Sequence, residues 1–136
     1  MRGVAGLVIS CDAAGVPASV NLQAALTTVA EPWVPLTVAT MNDYDVRVVK
    51  TRGEFTWHSH PDTDEFFMVL SGRLTIRLDD GEVELGPGQV FVVRRGRRHQ
   101  PYSAEGAEVL LIEPRDTVNT GDSPGELTAQ RRLVSD

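Results

Sequence analysis

The chain has one cysteine, Cys11, in 136 residues. No intrachain disulfide can form, so stability has to come from a buried core and its hydrogen bonds, in keeping with a reducing compartment. No apolar run approaches the ~18 residues that a membrane span needs. Residues 8–11, Val-Ile-Ser-Cys, have the look of a lipoprotein cleavage box, but the apolar stretch 4–9 is shorter than the ~7 to 15 residues of a signal core. The expectation is therefore a cytoplasmic protein with no membrane contact. Positive charge is in deficit, with 13 Lys and Arg against 19 Asp and Glu, a net charge of −6 and a pI near 5.0. That balance speaks against a nucleic-acid partner or an anionic membrane. There is no Gly-x-Ser-x-Gly, no phosphate loop and no dinucleotide fingerprint, and Cys11 stands far from every other motif. Histidine is scarce as well: only His58, His60 and His99 are present.

What is present reads as one globular domain, with 41% hydrophobic and 24% charged residues. Residues 1–19 have no sustained period and are read as a flexible leader. Asn21 can cap a short helix in which Leu22, Ala25, Leu26 and Val29 share one face, stopped by Pro32 and Pro35. From Leu36 onward the pattern turns to short extended runs: 36–41, 44–51, 54–60, 66–70, 73–78, 83–85, 90–93, 100–103 and 108–112. In the second run Val46 and Val48 alternate with Arg47, and Asp79-Asp80-Gly81 is hairpin chemistry. With no crossover helix between the runs, the spacing predicts an all-β antiparallel sandwich or small barrel, which together with the short N-terminal helix spans residues 20–115. Residues 116–136 form a C-terminal tail, of which 127–133 could add an edge strand or swap onto a partner.

The scarce histidines stand in an informative pattern. In an extended segment alternate side chains share a face, so His58 and His60 project together, about 7 Å apart at their roots. Pro61 to Asp64 is turn chemistry, after which Glu65 enters the next strand and can offer a carboxylate to the same ion, with Asp62 and Asp64 as more exposed alternatives. His99 follows a strand of equivalent kind. Three neutral imidazoles and a carboxylate suit Fe, Mn, Co, Ni, Cu or Zn without choosing among them, and in an octahedral ion they leave two positions open. Such a site should lose its metal below about pH 6, where the imidazoles protonate. Phe67 and Val69 share the parity of Glu65 and point to an apolar pocket; Phe66, Met68 and Leu70 would face outward as a dimer surface. Trp57 and Tyr102 are assigned to packing. Arg94, Arg95, Arg97 and Arg98 form a basic cluster that either attracts an anionic ligand or, the favoured reading, pairs with acidic neighbours.

The stretch Gly53, His58, His60, Glu65, Gly72 resembles the first motif of the cupin superfamily, and Gly88 through Gly96 to His99 resembles the second. The similarity covers roughly residues 36–115 and is greatest to small single-domain bacterial cupins of the mannose-6-phosphate-isomerase-like kind, whose tail resembles residues 118–122. The resemblance implies a double-stranded β-helix, or jelly roll, with one divalent metal on His58, His60, Glu65 and His99, commonly as a homodimer. Two departures stand out. Four residues separate Gly53 from His58 where five are usual, and Arg94 replaces the usual proline, which predicts a looser turn before His99. The implied function is that of a metal-dependent enzyme acting on a small oxygenated molecule, of isomerase or dioxygenase type; the alternative is a non-catalytic small-molecule binding or sensing cupin. No residue outside the ligand set is identified as catalytic.

Overall fold

The structure, a computed structural model, describes residues 10, 11 and 17–134. β1 (Ser10–Cys11) and β2 (Pro17–Ser19) pair antiparallel within the stretch read as a leader, whose residues 1–9 and 12–16 lie outside the described ones. Asn21 caps α1 (Leu22–Leu26): its side chain accepts from the Ala24 amide at 2.9 Å, satisfying one of the open amides of the first turn. Ala25, Leu26 and Val29 then pack on Leu36, Val38 and Val48, so α1 lies across the outer face of the sheet. Among the described residues no helix is long and apolar enough to cross a membrane.

Seven strands form one antiparallel sheet: β3 (Leu36–Met41), β4 (Tyr44–Glu54), β5 (Glu65–Gly72), β6 (Leu74–Leu78), β7 (Gly81–Leu85), β8 (Val90–Val93) and β9 (His99–Pro114). The order is β3-β4-β9-β5-β8, with β6 joining β9 and β7 joining β6. This is the jelly-roll architecture expected, curled over its core but not closed by hydrogen bonds: β3, β7 and β8 each pair with a single strand.

Two strands run longer than predicted. The break expected between the runs 44–51 and 54–60, at Arg52-Gly53, is a bulge instead, with the β4–β9 register shifting between Thr51 and Gly53 and Gly53 taking φ +75°. Glycine accepts that left-handed backbone without a Cβ clash, so the strand bends and continues. The runs 100–103 and 108–112 are likewise one strand, β9, which passes through Gly106 at φ +100° and changes partner from β6 to β5. By contrast 55–60, read as strand, holds only an isolated bridge, His58 to His99.

Register sets the interior. Val49 pairs with Val109 and Val109 with Val69, a buried apolar row across three strands. Leu74 and Ile76 of β6 complete the core against it. The alternation of β4 holds, and both of its faces are covered: Val46 and Val48 pack beneath α1, whereas Arg47 is buried inside, 3% exposed. On β5 the predicted parity holds, with Glu65, Phe67 and Val69 buried and Phe66, Met68 and Leu70 half-buried on the outer face, Leu70 against the α1 cluster. The tail reaches the edge of β3 through one parallel bridge, Thr37 to Leu133, rather than as a full strand.

Ile76 is fully buried at the centre of this core. Ile76→Ala should cost about 2 to 5 kcal/mol in urea unfolding; a loss below about 1 kcal/mol would mean that the interior described here is not the folding core.

Candidate functional site

His58, His60, Glu65 and His99 come together inside the sheet, with one donor atom from each within 4.8 Å of all the others, and all four side chains are buried. Three local devices bring them there. His58 and His99 exchange both backbone hydrogen bonds, at 3.0 and 2.8 Å, which sets their rings side by side with centroids 4.3 Å apart. His60 is tied across the turn by its carbonyl, which accepts from Gly96 at 2.9 Å. Glu65 is the first residue of β5, paired with Val93 of β8. The turn before His99 is held by hydrogen bonds despite Arg94: the Arg97 amide donates to the Arg94 carbonyl, and Arg94 itself reaches outward to Asp64.

Two of the imidazoles are already oriented. His58 Nδ1 donates to the Thr56 carbonyl at 2.7 Å and His99 Nδ1 to the Arg97 carbonyl at 3.0 Å, which leaves the opposite nitrogen of each ring free as a ligand. Glu65 Oε1 sits 3.3 Å from Nε2 of both His60 and His99. None of these three atoms has a hydrogen-bond partner. Buried polar atoms are nearly always paired, so three orphans converging on one point fit a cation that they would share. Burial, then the neighbouring His99, pushes His58 down from its ordinary 6.5 to about 4. Burial works to raise Glu65, but the facing His60 and His99 rings outweigh it and hold the carboxyl well below its usual range.

A second set of buried charges adjoins the first, and the sequence reading did not find it. Asp45 of β4 pairs with Glu113 of β9, and Glu113 stands one step beyond the Phe66–Ile112 pair, beside Glu65. Three carboxyl groups thus cross neighbouring strands on the inner face. Arg47 bridges two of them, donating to Glu113 at 2.7 Å and to Asp45 at 3.1 Å, with the carbonyls of Arg115 and Thr117 completing its hydrogen bonds; Glu113 is also hydrogen-bonded to Glu65. Burial and then the Glu65 charge push Glu113 well above its usual range, which Arg47 only partly opposes. The available signal was the opposite charges of Asp45 and Arg47 at one parity of a strand whose other face is Val46 and Val48.

A cavity of ≈ 40 Å³ opens beside the cluster, room for about three waters, lined by His58, Glu65 and Glu113 and by apolar groups including Trp33, Phe55 and Phe67. Trp33, 69° in φ and anchored by its Nε1 to the Arg52 carbonyl, comes from the loop before β3 and stacks on Phe55 at 4.8 Å. Phe67 lines the cavity as its parity predicted; Val69 lies deeper in the core. The tail also contributes. Asn119 lines the cavity, Asp122 accepts from both the amide and the hydroxyl of Ser59, and Gly121 packs on the Ser59 carbonyl and the His58 ring edge. The remaining candidates lie elsewhere. Asp62 is exposed, and Asp64 accepts from Arg94 and the Arg95 amide. The basic cluster is paired as favoured, Arg97 with Asp80 and Arg98 with Asp79. Trp57 and Tyr102 are half-buried beneath Arg98 and Arg77 rather than packed in the core.

Residues 45–113 match the family model described as "Cupin domain", a span that includes all four clustered residues and Asp45, Arg47 and Glu113. The chain is similar to the uncharacterised protein YdbB of Bacillus subtilis (strain 168), 34% identical over 94 residues, covering 68% of this chain and 83% of that protein. Among solved structures it resembles a cupin-2 domain containing protein from Shewanella frigidimarina, with 38% identity and a TM-score of 0.69 over 71% of this chain and 94% of the other. A protein from Neisseria meningitidis is similar at 26% identity and a TM-score of 0.66, over 71% of this chain and 99% of the other.

Because His58 takes its proton near 4 when folded and near 6.5 when unfolded, the unfolded state binds protons first as pH falls. The stability it contributes is full above about 6.5 and lost between about 6.5 and 4, on the order of 3 kcal/mol. Urea titrations of chelator-treated protein across that window should show the fall, and His58→Gln should flatten it; equal slopes would contradict the buried neutral imidazole. Gly121, at φ +56°, has no room for a Cβ beside Ser59. Gly121→Ala should cost about 1 to 3 kcal/mol and loosen the His58 segment, seen as faster amide exchange at residues 58–60; unchanged exchange there would separate the tail from the site.

Proposed function

The chain belongs to the cupin family, and from that membership we propose that it is a metal-dependent enzyme that holds one divalent transition ion on His58, His60, Glu65 and His99 and acts on a small oxygenated molecule. The observation that carries the reading is the trio of buried, unpartnered atoms, His60 Nε2, His99 Nε2 and Glu65 Oε1, with the His99 ring already oriented by the Arg97 carbonyl. A bound ion of this kind supplies Lewis-acid polarisation of an oxygen on the bound molecule. The chain supplies the rest. The Thr56 and Arg97 carbonyls fix the ring tautomers of His58 and His99. Trp33, Phe55 and Phe67 keep bulk water from the cavity, so that charges inside interact at low dielectric. Isomerisation and dioxygen chemistry are the two reaction types that such a site supports.

The mostly apolar wall favours a second reading, a binding or sensing module whose ion only anchors a ligand. A ligand that raises the melting temperature and is recovered unchanged identifies that case. The half-buried outer residues Phe66 and Met68 support a homodimer, which light scattering checks.

Protein purified without chelators should carry about one ion per chain by elemental analysis. His99→Ala and Glu65→Ala should each weaken metal affinity at least about 100-fold while leaving the far-UV spectrum intact. Wild-type protein with less than about a tenth of an equivalent after anaerobic reconstitution with Fe(II), Mn(II), Ni(II) or Zn(II) would rule out the metal site. Metal-loaded protein that turns over no sugar phosphate, dicarbonyl or catechol would rule out the enzymatic reading in favour of the binding one.

A further inference from the structure

Glu65 is the one carboxyl group of the His/Glu cluster, and its side chain turns about three bonds where an imidazole turns about two. His58 and His99 are each tied through Nδ1 to a carbonyl two residues back in the chain. The Glu65 carboxyl has a different anchor. Its Oε1 faces Nε2 of His60 and of His99 at 3.3 Å, and outside the histidines the group is hydrogen-bonded to the carboxyl of Glu113. The β5–β9 register makes that contact: Phe66 stands opposite Ile112, so Glu65 and Glu113 meet one step along on the inner face, where both line the cavity.

Glu113 is held from its other side. It is 1% exposed, and its Oε2 accepts from Arg47 at 2.7 Å. Arg47 donates in turn to Asp45 at 3.1 Å and to the carbonyls of Arg115 and Thr117 at 2.9 and 3.1 Å, while Asp45 accepts from Thr37 at 3.1 Å and from Arg131 at 2.7 Å. A line of hydrogen bonds therefore runs from the C-terminal tail through Arg47 and Glu113 to the carboxyl of the cluster. Buried charged sets add little net stability over apolar residues of the same volume, so what this one fixes in place matters more than what it stabilises. Its last link is the group with the most rotamers to lose.

We propose that Glu113 is the positioning residue of the cluster: anchored by Arg47, it fixes the Glu65 carboxyl in the rotamer from which Oε1 faces the open nitrogens of His60 and His99. The inference deepens the functional reading above and rests on it for Glu65 being a ligand of an ion, but the placing of the Glu65 side chain does not require the ion. Two carboxyl groups hydrogen-bond through one shared proton, a form that a glutamine amide reproduces with a permanent N–H.

Co(II), whose visible bands report the geometry of its ligands, is the probe. Glu113→Met, close in volume but without a polar hydrogen or oxygen, should weaken Co(II) binding by about 10- to 100-fold in chelator competition and alter the bands. Glu113→Gln, whose oxygen accepts from Arg47 while its amide donates to Glu65, should stay within about threefold of wild type and keep them. Adding Glu113→Met to Glu65→Ala should cost no further affinity, because both changes act through one carboxyl. In chelator-treated protein, scalar couplings along the Glu65 side chain should report one rotamer in wild type and Glu113→Gln and averaging in Glu113→Met. Should Glu113→Met fail to fold because Arg47 loses its partner, Arg47→Met/Glu113→Met removes the pair together and is read in its place. Wild-type affinity in the Met variant, an equal loss in Glu113→Gln, a loss that persists in the Glu65→Ala background, or a single Glu65 rotamer that survives the Met substitution overturns the proposal. Wild-type protein that takes up no Co(II) while its Glu65 rotamer still depends on Glu113 refutes the metal site and leaves the positioning role standing; Co(II) uptake indifferent to Glu113 does the reverse.

Discussion

Two buried imidazole nitrogens and a carboxylate oxygen facing one another without a hydrogen-bond partner are the constraint on which the rest of the site depends. Left unpaired, each such atom costs about 1 to 3 kcal/mol, a large share of what a domain of this size has to spare. The fold does nothing to relieve that cost. It fixes the rings instead, through carbonyls at Thr56 and Arg97 and through the paired backbones of His58 and His99. Groups held in such an unfavourable arrangement fit a site that gains stability on binding a cation.

The same sheet register that delivers Glu65 also aligns Glu113 and Asp45 across β5, β9 and β4. Like charges at neighbouring inner positions repel, and Arg47 offsets them at the junction, with Arg131 reaching Asp45 from the tail at 2.7 Å. The tail therefore does more than trail from β9. Its carbonyls at Arg115 and Thr117 fix Arg47, and its Asp122 clamps Ser59 between His58 and His60. The His/Glu cluster, the carboxyl row and the tail form one connected polar layer beside the apolar core.

Much of this was legible in the residues. The Asn21 cap, the Asp79-Asp80-Gly81 hairpin, the inward parity of Glu65, Phe67 and Val69, and the meeting of three histidines with one glutamate all follow from local rules of turn chemistry and alternation. What was not legible depends on tertiary context. Gly53 reads equally well as a turn or a bulge, and only pairing with β9 decides between them. Arg47 looks like a surface residue between two valines until α1 covers the valines and Glu113 arrives from 66 residues away to receive the guanidinium. Residues 116–134 carry no periodicity, because their order comes from side-chain clamps and isolated hydrogen bonds rather than from a repeating ladder.

X-ray absorption at the edge of the bound metal tests the central claim most directly, because it reads the ligand shell without reference to activity. The account predicts a first shell of nitrogen and oxygen at about 2.0 to 2.2 Å, with multiple scattering from three imidazoles that falls to two in His99→Ala. A shell of oxygen alone, or an imidazole count indifferent to the loss of His99, would contradict it.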